Sequence, residues 1–247
     1  LCEYVWYGSD EDVEKYKQRN RQRLAQLADA ARRNKMYVVI GGELERGFNE
    51  SILFDRQGHE IGRYTKINQT TAKTSKHYQA GDKVGVFDFD FGRICTKICA
   101  DVYAHEIDLV ARLHQVDLML HHTQDAGPFT EHTRLREYHR CVDCGYFLVR
   151  AAGQTGQRDH RTYVMDPWGI VLGASQFRTN NDPVIVTLQL DNRPKYYEWP
   201  EEIRQAGPYP DPYKAGKRPV AQGDLRAVLL GQRRPELYRP LPPPEQN

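Results

Sequence analysis

Three ionisable side chains stand where predicted strands end: Glu3, Lys66 and Cys99. Cys99 closes the run Gly92-Arg-Ile-Cys-Thr-Lys-Ile-Cys-Ala-Asp101, a strand pattern that stops abruptly. Ile107, Val110, Ala111 and His114 then recur at helical spacing. A thiol at such a junction is held rigidly and projects from the end of the sheet, beside backbone N–H groups. Glu3 interrupts the apolar, aromatic run Leu1–Tyr7, read as the end of a buried strand, where a carboxylate must be paired. Lys66 ends the second strand of a predicted hairpin. Each has an ordinary explanation: free cysteines are commonly buried, and lysines at strand ends are commonly solvated. Together they are the parts of acyl transfer through a thioester. The thiol is the nucleophile, the carboxylate takes its proton and later activates water, and the lysine with the Ala100 N–H stabilises the oxyanion.

The elements that must position these groups follow from periodicity. Ser9–Asp12 fits a capping box, and Val13, Tyr16, Asn20, Leu24, Leu27 and Ala31 predict a helix ending near Asn34. Met36–Ile40 reads as a buried strand closed by Gly41-Gly42. Glu50–Asp55 and Glu60–Ile67 form a hairpin around Gly58, followed by a polar loop, Asn68–Gln79. Val84–Asp90, Gly92–Cys99, Leu118–His122, Tyr146–Ala152, Thr162–Met165, Ile170–Ala174 and Val184–Leu190 are further strands. Glu131–Cys144 predicts a helix with Leu135, Tyr138 and Val142 on its apolar side. Hairpins mixed with strand–helix alternation predict an α/β fold with a mixed sheet.

Composition narrows the function classes. The chain has 247 residues and a formal charge of +2, with Lys and Arg scattered among Asp and Glu, so nucleic acid is not an expected partner. No apolar run reaches the length of a membrane span. Five cysteines, an odd number, do not suit a disulfide-stapled secreted domain, and a reducing, cytoplasmic setting is expected. Eleven of the fourteen prolines follow residue 193, which marks 192–247 as a Pro-rich extension to a domain spanning 1–191.

The residues around Cys99 and Lys66 resemble the nitrilase, or carbon–nitrogen hydrolase, superfamily. Ile98-Cys99-Ala100-Asp101 with Glu106 matches the family's Ile-Cys-x-Asp and the Glu seven residues after the Cys. Asn49 to Gly58, then Gly62-Arg-Tyr-Thr-Lys66, resembles its Asn-Ser, Asp-x-x-Gly and Gly-x-Tyr-x-Lys pattern. Gly81-Asp82, Arg140-Cys-Val-Asp143 and Asp166-Pro-Trp-Gly169 match further motifs. The resemblance implies a four-layer α-β-β-α sandwich, a Glu3-Lys66-Cys99 triad, no metal or organic cofactor, and assembly into a homodimer or larger oligomer. It implies hydrolysis of a small amide or N-carbamoyl compound. Nitrile hydrolysis and a non-catalytic interaction subunit are the alternatives.

The chain departs from the pattern in four places. Cys2 replaces a proline before the first Glu. Cys95 replaces a glycine, and Lys97 occupies a usually apolar position. On a regular strand Lys97 shares a face with Cys99, where it either lowers the thiol pKa or meets an acid or solvent. No glutamate lies between Ile61 and His105, where many members carry a second one; the loop offers Lys73, Lys76, His77 and Gln79. The family's opening strand–helix segment is expected to be missing here. Weaker pocket candidates are Tyr103, Phe129 and one of His121 and His122, which as strand neighbours point to opposite faces. Arg134 and Arg136 are expected on a solvated helix face. A zinc site from Cys95, Cys99, Cys141 and Cys144 is the rival reading of the thiols.

Overall fold

The computed structural model describes residues 13–42, 47–69, 78–124, 130–153, 161–175, 183–198 and 220–224. The chain divides into two compact units, Leu1–Asn192 and Arg193–Asn247.

The first described element of the first unit is the amphipathic helix α1 (Val13–Asn34), which buries Ala31 against Ile40, Ile52 and Phe54. Those three come from β1 (Val38–Gly42) and β2 (Glu50–Phe54). Asp55 accepts from the N–H groups of Gln57 and His59, at 2.8 Å each, which turns the chain into β3 (Glu60–Thr65). These strands form one antiparallel sheet in the order β1-β2-β3.

The second sheet has six strands in sequential order. They are β4 (Gly85–Phe89), β5 (Gly92–Ile98), β6 (Leu118–Thr123), β7 (Phe147–Ala152), β8 (Tyr163–Met165) and β9 (Val171–Ala174). The β5–β6 and β6–β7 pairs are parallel and the rest antiparallel, so the sheet is mixed, as the pattern of hairpins and crossovers requires. The helices α2 (His105–Leu113) and α3 (Thr130–Cys144) supply the two crossovers. Ile107, Ala111 and Cys141 pack with Cys95, Met119 and Leu148 in the core between these helices and the sheet. On the other face, Thr96 Oγ1 of β5 and Ser51 Oγ of β2 meet at 3.0 Å, which places the two sheets face to face. The layers therefore run helix, sheet, sheet, helix.

Two expectations need correction. Residues 184–189 join no ladder among the described residues, and Leu190 already lies in a turn. Val184 and Val186 lie across Gly173 of β9 and Ile185 is 87% exposed, so the alternation records one covered face without a neighbouring strand. The second unit holds an antiparallel pair, β10 (Lys195–Glu198) and β11 (Val220–Asp224), that the proline-rich composition concealed.

The buried face of α3 also differs from the expectation. Leu135, Tyr138 and Val142 are exposed, whereas Thr133, Glu137, Cys141 and Cys144 are buried. A helix normally turns its apolar stripe inward; here a carboxylate goes in, and only partners inside can offset that cost.

Candidate active site

Asp101 organises the site. Its carboxylate is fully buried and accepts from the Ile98 N–H at 2.8 Å, the Tyr64 hydroxyl at 2.6 Å, the Asn68 N–H at 2.9 Å and the Asn68 side-chain amide at 3.1 Å. A carboxylate with this many donors is satisfied without a counter-ion. Burial and the neighbouring Asp101 charge push the Tyr64 phenol far above its ordinary value, so it remains a donor. Ile98 and Asp101 flank Cys99, while Tyr64 and Asn68 flank Lys66. One side chain thus ties the lysine segment of the first sheet to the thiol turn of the second.

Cys99 leaves β5 with φ of 46°. The other described non-glycine residues with positive φ, Lys35 and Gln115, follow helices, where a left-handed residue is a common ending. At a strand end the same conformation is strained, and it presents the side chain above the sheet edge. The chain continues as a 3-10 turn, Cys99–Tyr103, before α2, with Ala100 buried in it. Cys99 is partly exposed, unlike Cys95, Cys141 and Cys144.

Lys66 is 1% exposed. Its backbone is fixed on both sides: its N–H donates to the Asn49 carbonyl at 2.8 Å, and its carbonyl accepts from the Gly81 N–H at 2.9 Å. Gly81 is required there because a Cβ would stand 2.2 Å from the Thr65 carbonyl oxygen. The Gly-Asp motif therefore works by close backbone approach.

The weaker candidates separate. His121 and His122 do point to opposite faces. His121 is buried towards α3, with Nδ1 on Glu137 and Nε2 3.3 Å from the Cys99 carbonyl oxygen. His122 is buried towards the first sheet, where it fills the space a Cβ on Gly41 would need. Tyr103 is 63% exposed, its ring beneath the Arg136 guanidinium at 4.9 Å, so Arg136 does more than meet solvent. Glu3, Phe129, Lys73, Lys76 and His77 lie outside the described residues.

Lys97 turns to the helix side and pairs with Asp108 at 3.0 Å, both fully buried, so it meets an acid instead of sharing a surface with the thiol. The Tyr146 hydroxyl donates to the same Asp108 oxygen at 2.7 Å, and Arg140 lies 3.2 Å from the other. Burial alone would pull the Lys97 ammonium down, but the Asp108 and Glu137 charges and the Asp108 hydrogen bond together outweigh it and hold the pKa above the ordinary lysine value. Glu137 and Arg150 were not foreseen. Arg150 had a signal, a charge within an otherwise apolar strand, whereas the apolar stripe of α3 gave none for Glu137.

Cys95, Cys141 and Cys144 sit in one apolar core, and burial pushes the Cys95 and Cys144 thiols up to about 12. Among the described residues no group of three or more His, Cys, Asp or Glu side chains could hold a metal ion. No described helix is long and apolar enough to cross a membrane. An open hollow of about 510 Å³, lined by Phe91, Leu118, Val186, Leu188, Leu190 and Asp191, lies where β5 and β6 begin, at the opposite strand ends from Cys99.

Known proteins resemble this chain in sequence and in fold. The family model "Carbon-nitrogen hydrolase" matches residues 2–196. Nitrilase 1 of Arabidopsis thaliana is 26% identical over 153 residues, covering 59% of this chain and 43% of that protein. A probable nitrilase of Schizosaccharomyces pombe is 24% identical over 180 residues, covering 68% of this chain and 62% of that protein. The chain thus spans 43% and 62% of these curated relatives. An amidase from Nesterenkonia sp. superposes with a TM-score of 0.62 at 18% identity, covering 90% of this chain and 73% of that one. A variant of the Nesterenkonia amidase holds the acetamide moiety of fluoroacetamide covalently added at its active-site cysteine. The structural likeness shows a shared fold, and the family match across 2–196 makes this chain a member of the carbon–nitrogen hydrolase family, within the nitrilase superfamily.

Proposed function

We propose that the chain hydrolyses the C–N bond of a small amide or N-carbamoyl compound through an acyl thioester on Cys99. The observation that supports this most directly is the partly exposed Cys99 thiol, held at φ of 46° and tied through Asp101 to the buried Lys66 segment. The Cys99 sulfur attacks the carbonyl carbon as its proton passes to the Glu3 carboxylate. The Lys66 ammonium carries the charge that develops on the carbonyl oxygen. Collapse breaks the C–N bond, and the Glu3 proton goes to the departing ammonia or amine. Water then attacks the thioester, again giving a proton to Glu3, and the acid leaves with the thiol restored.

Nitrile hydrolysis by the same residues is the second reading, favoured by the nitrilases among the relatives. The missing second glutamate bears on which substrate class is accepted. We further propose that a second copy of the chain covers the exposed apolar residues Leu109, Leu113, Leu135, Tyr138 and Val142 on α2 and α3. We also propose a reducing, cytoplasmic setting, which an odd number of cysteines, five, suits.

The test is release of ammonia or amine from a panel of small amides, N-carbamoyl amino acids and nitriles, with Cys99→Ala as control. Turnover of an amide or carbamoyl compound that Cys99→Ala abolishes is expected. Turnover confined to nitriles would favour the second reading. No turnover of any class by a folded chain would favour a non-catalytic subunit.

A further inference from the structure

The strand registers set Lys97 of β5, His121 of β6, Arg150 of β7 and Tyr163 of β8 side by side in one row. The row lies just below the strand ends from which Cys99 emerges. Each of these side chains is buried, and so are Glu137 of α3 and Asp108 of α2, which meet the row from the helix side. His121 connects this row to the thiol turn. Its Nδ1 faces a Glu137 oxygen, and its Nε2 faces the Cys99 carbonyl oxygen at 3.3 Å. Both ring nitrogens therefore face acceptors. A ring with one proton would turn a lone pair onto one of these oxygens, whereas the doubly protonated ring donates to both.

Glu137 is suited to hold that charge. Burial opposes its ionisation, but the charges of His121 and Arg150, the His121 hydrogen bond and the Lys97 charge outweigh burial and bring its carboxyl down to about 2. Its second oxygen accepts from the Tyr163 hydroxyl. The other groups facing His121 are accounted for. The Lys97 charge is matched by Asp108 at 3.0 Å, and the Arg150 guanidinium lies 5.3 Å over the Tyr163 ring. Burial and Glu137 push the Cys141 thiol well up, so it stays uncharged. Lys97 and Arg150 are the cations beside the ring in the row, and Glu137 and the Cys99 carbonyl are the two acceptors it faces.

We propose that the Glu137–His121 pair positions the nucleophile: the charged ring donates from Nε2 to the Cys99 carbonyl, holds Cys99 in its left-handed turn, and places a positive charge behind the sulfur that favours the thiolate. The proposal rests on the reading of Cys99 as the nucleophile and adds what fixes it. His121 is a positioning residue and touches no substrate.

The test is the pH profile of Cys99 alkylation by iodoacetamide in the full chain, read by peptide mass mapping. His121→Gln keeps a donor but no charge, and Glu137→Gln removes the counter-charge. Each is expected to move the midpoint up by about one pH unit and to slow labelling at neutral pH about tenfold. Glu137→Asp should restore most of the difference. Tyr163→Phe, which removes only the outer hydroxyl, should leave the midpoint in place. If His121→Gln fails to fold, Glu137→Gln carries the test. Midpoints in both Gln variants equal to that of the unsubstituted chain would overturn the proposal, as would an equal displacement by Tyr163→Phe. The measurement needs no substrate. Displaced midpoints in a chain that hydrolyses nothing would overturn the proposed function alone, and unchanged midpoints in an active hydrolase would overturn this inference alone.

Discussion

The Tyr64 hydroxyl donates to the Asp101 carboxylate at 2.6 Å, and through that contact the end of β3 is tied to the turn after β5. The same carboxylate receives the Ile98 and Asn68 N–H groups, so the spacing between the lysine and thiol segments depends on one side chain. Asp101→Ala would strand these buried donors, each at about 1–3 kcal/mol. We expect a stability loss of roughly 3–5 kcal/mol in urea unfolding and loss of turnover even at temperatures where the variant is folded. Tyr64→Phe should lose only about 1–2 kcal/mol and keep part of the activity.

Thiol labelling should be selective among the described cysteines. Burial pushes Cys95 and Cys144 up to about 12 and Cys141 well up, while Cys99 is the partly exposed one. Brief iodoacetamide treatment of the native chain should modify Cys99 far faster than these three, and unfolding in urea should remove the difference. Equal labelling of Cys95 in the native chain would contradict the burial described here.

The pair Lys97–Asp108 should behave as a buried ion pair that tolerates joint replacement better than single truncation. Lys97→Ala leaves Asp108 buried beside only Arg140 and Tyr146, and a loss of about 3–5 kcal/mol is expected. The Lys97 pKa is raised on folding, so its contribution is fully present below the unfolded lysine value of 10.5 and fades as pH rises through the folded value. Unfolding measured from neutral to strongly alkaline pH should show the unsubstituted chain losing its advantage over Lys97→Ala at the alkaline end.

Glu137 has the opposite sign. Its folded pKa is lowered from 4.5 to about 2, so its stabilisation is present above 4.5 and is lost as pH falls towards 2. The chain should lose on the order of 3 kcal/mol more than Glu137→Gln across that interval in parallel acid unfolding curves. Parallel curves with no convergence would mean that the carboxylate is not held ionised by its neighbours.

Much of this arrangement was legible in the sequence. The break after Ile98 and the glycine turn at Gly58 have local causes, a left-handed residue at a strand end and an Asp-capped hairpin. The ionic row beneath the thiol was not, because Lys97, His121, Arg150 and Tyr163 come together only through the registers of separate strands. The inward face of α3 was hidden for a related reason. Leu135, Tyr138 and Val142 form the more apolar stripe, yet partners from β6 and β8 outweigh hydrophobicity and draw Glu137 inside. The β10–β11 pair escaped notice because its strands are twenty-one residues apart, from Glu198 to Val220, across a proline-rich segment.

Cys99 is proposed to carry the acyl group. Intact and peptide-level mass spectrometry after rapid mixing with small amides, carbamoyl amino acids and nitriles tests it directly. A thioester adduct is expected on the Cys99 peptide that appears with substrate, decays as acid is released, and is absent in Cys99→Ala, while Cys95→Ala still forms it. Turnover with no adduct on Cys99, or with Cys99→Ala still active, would contradict it.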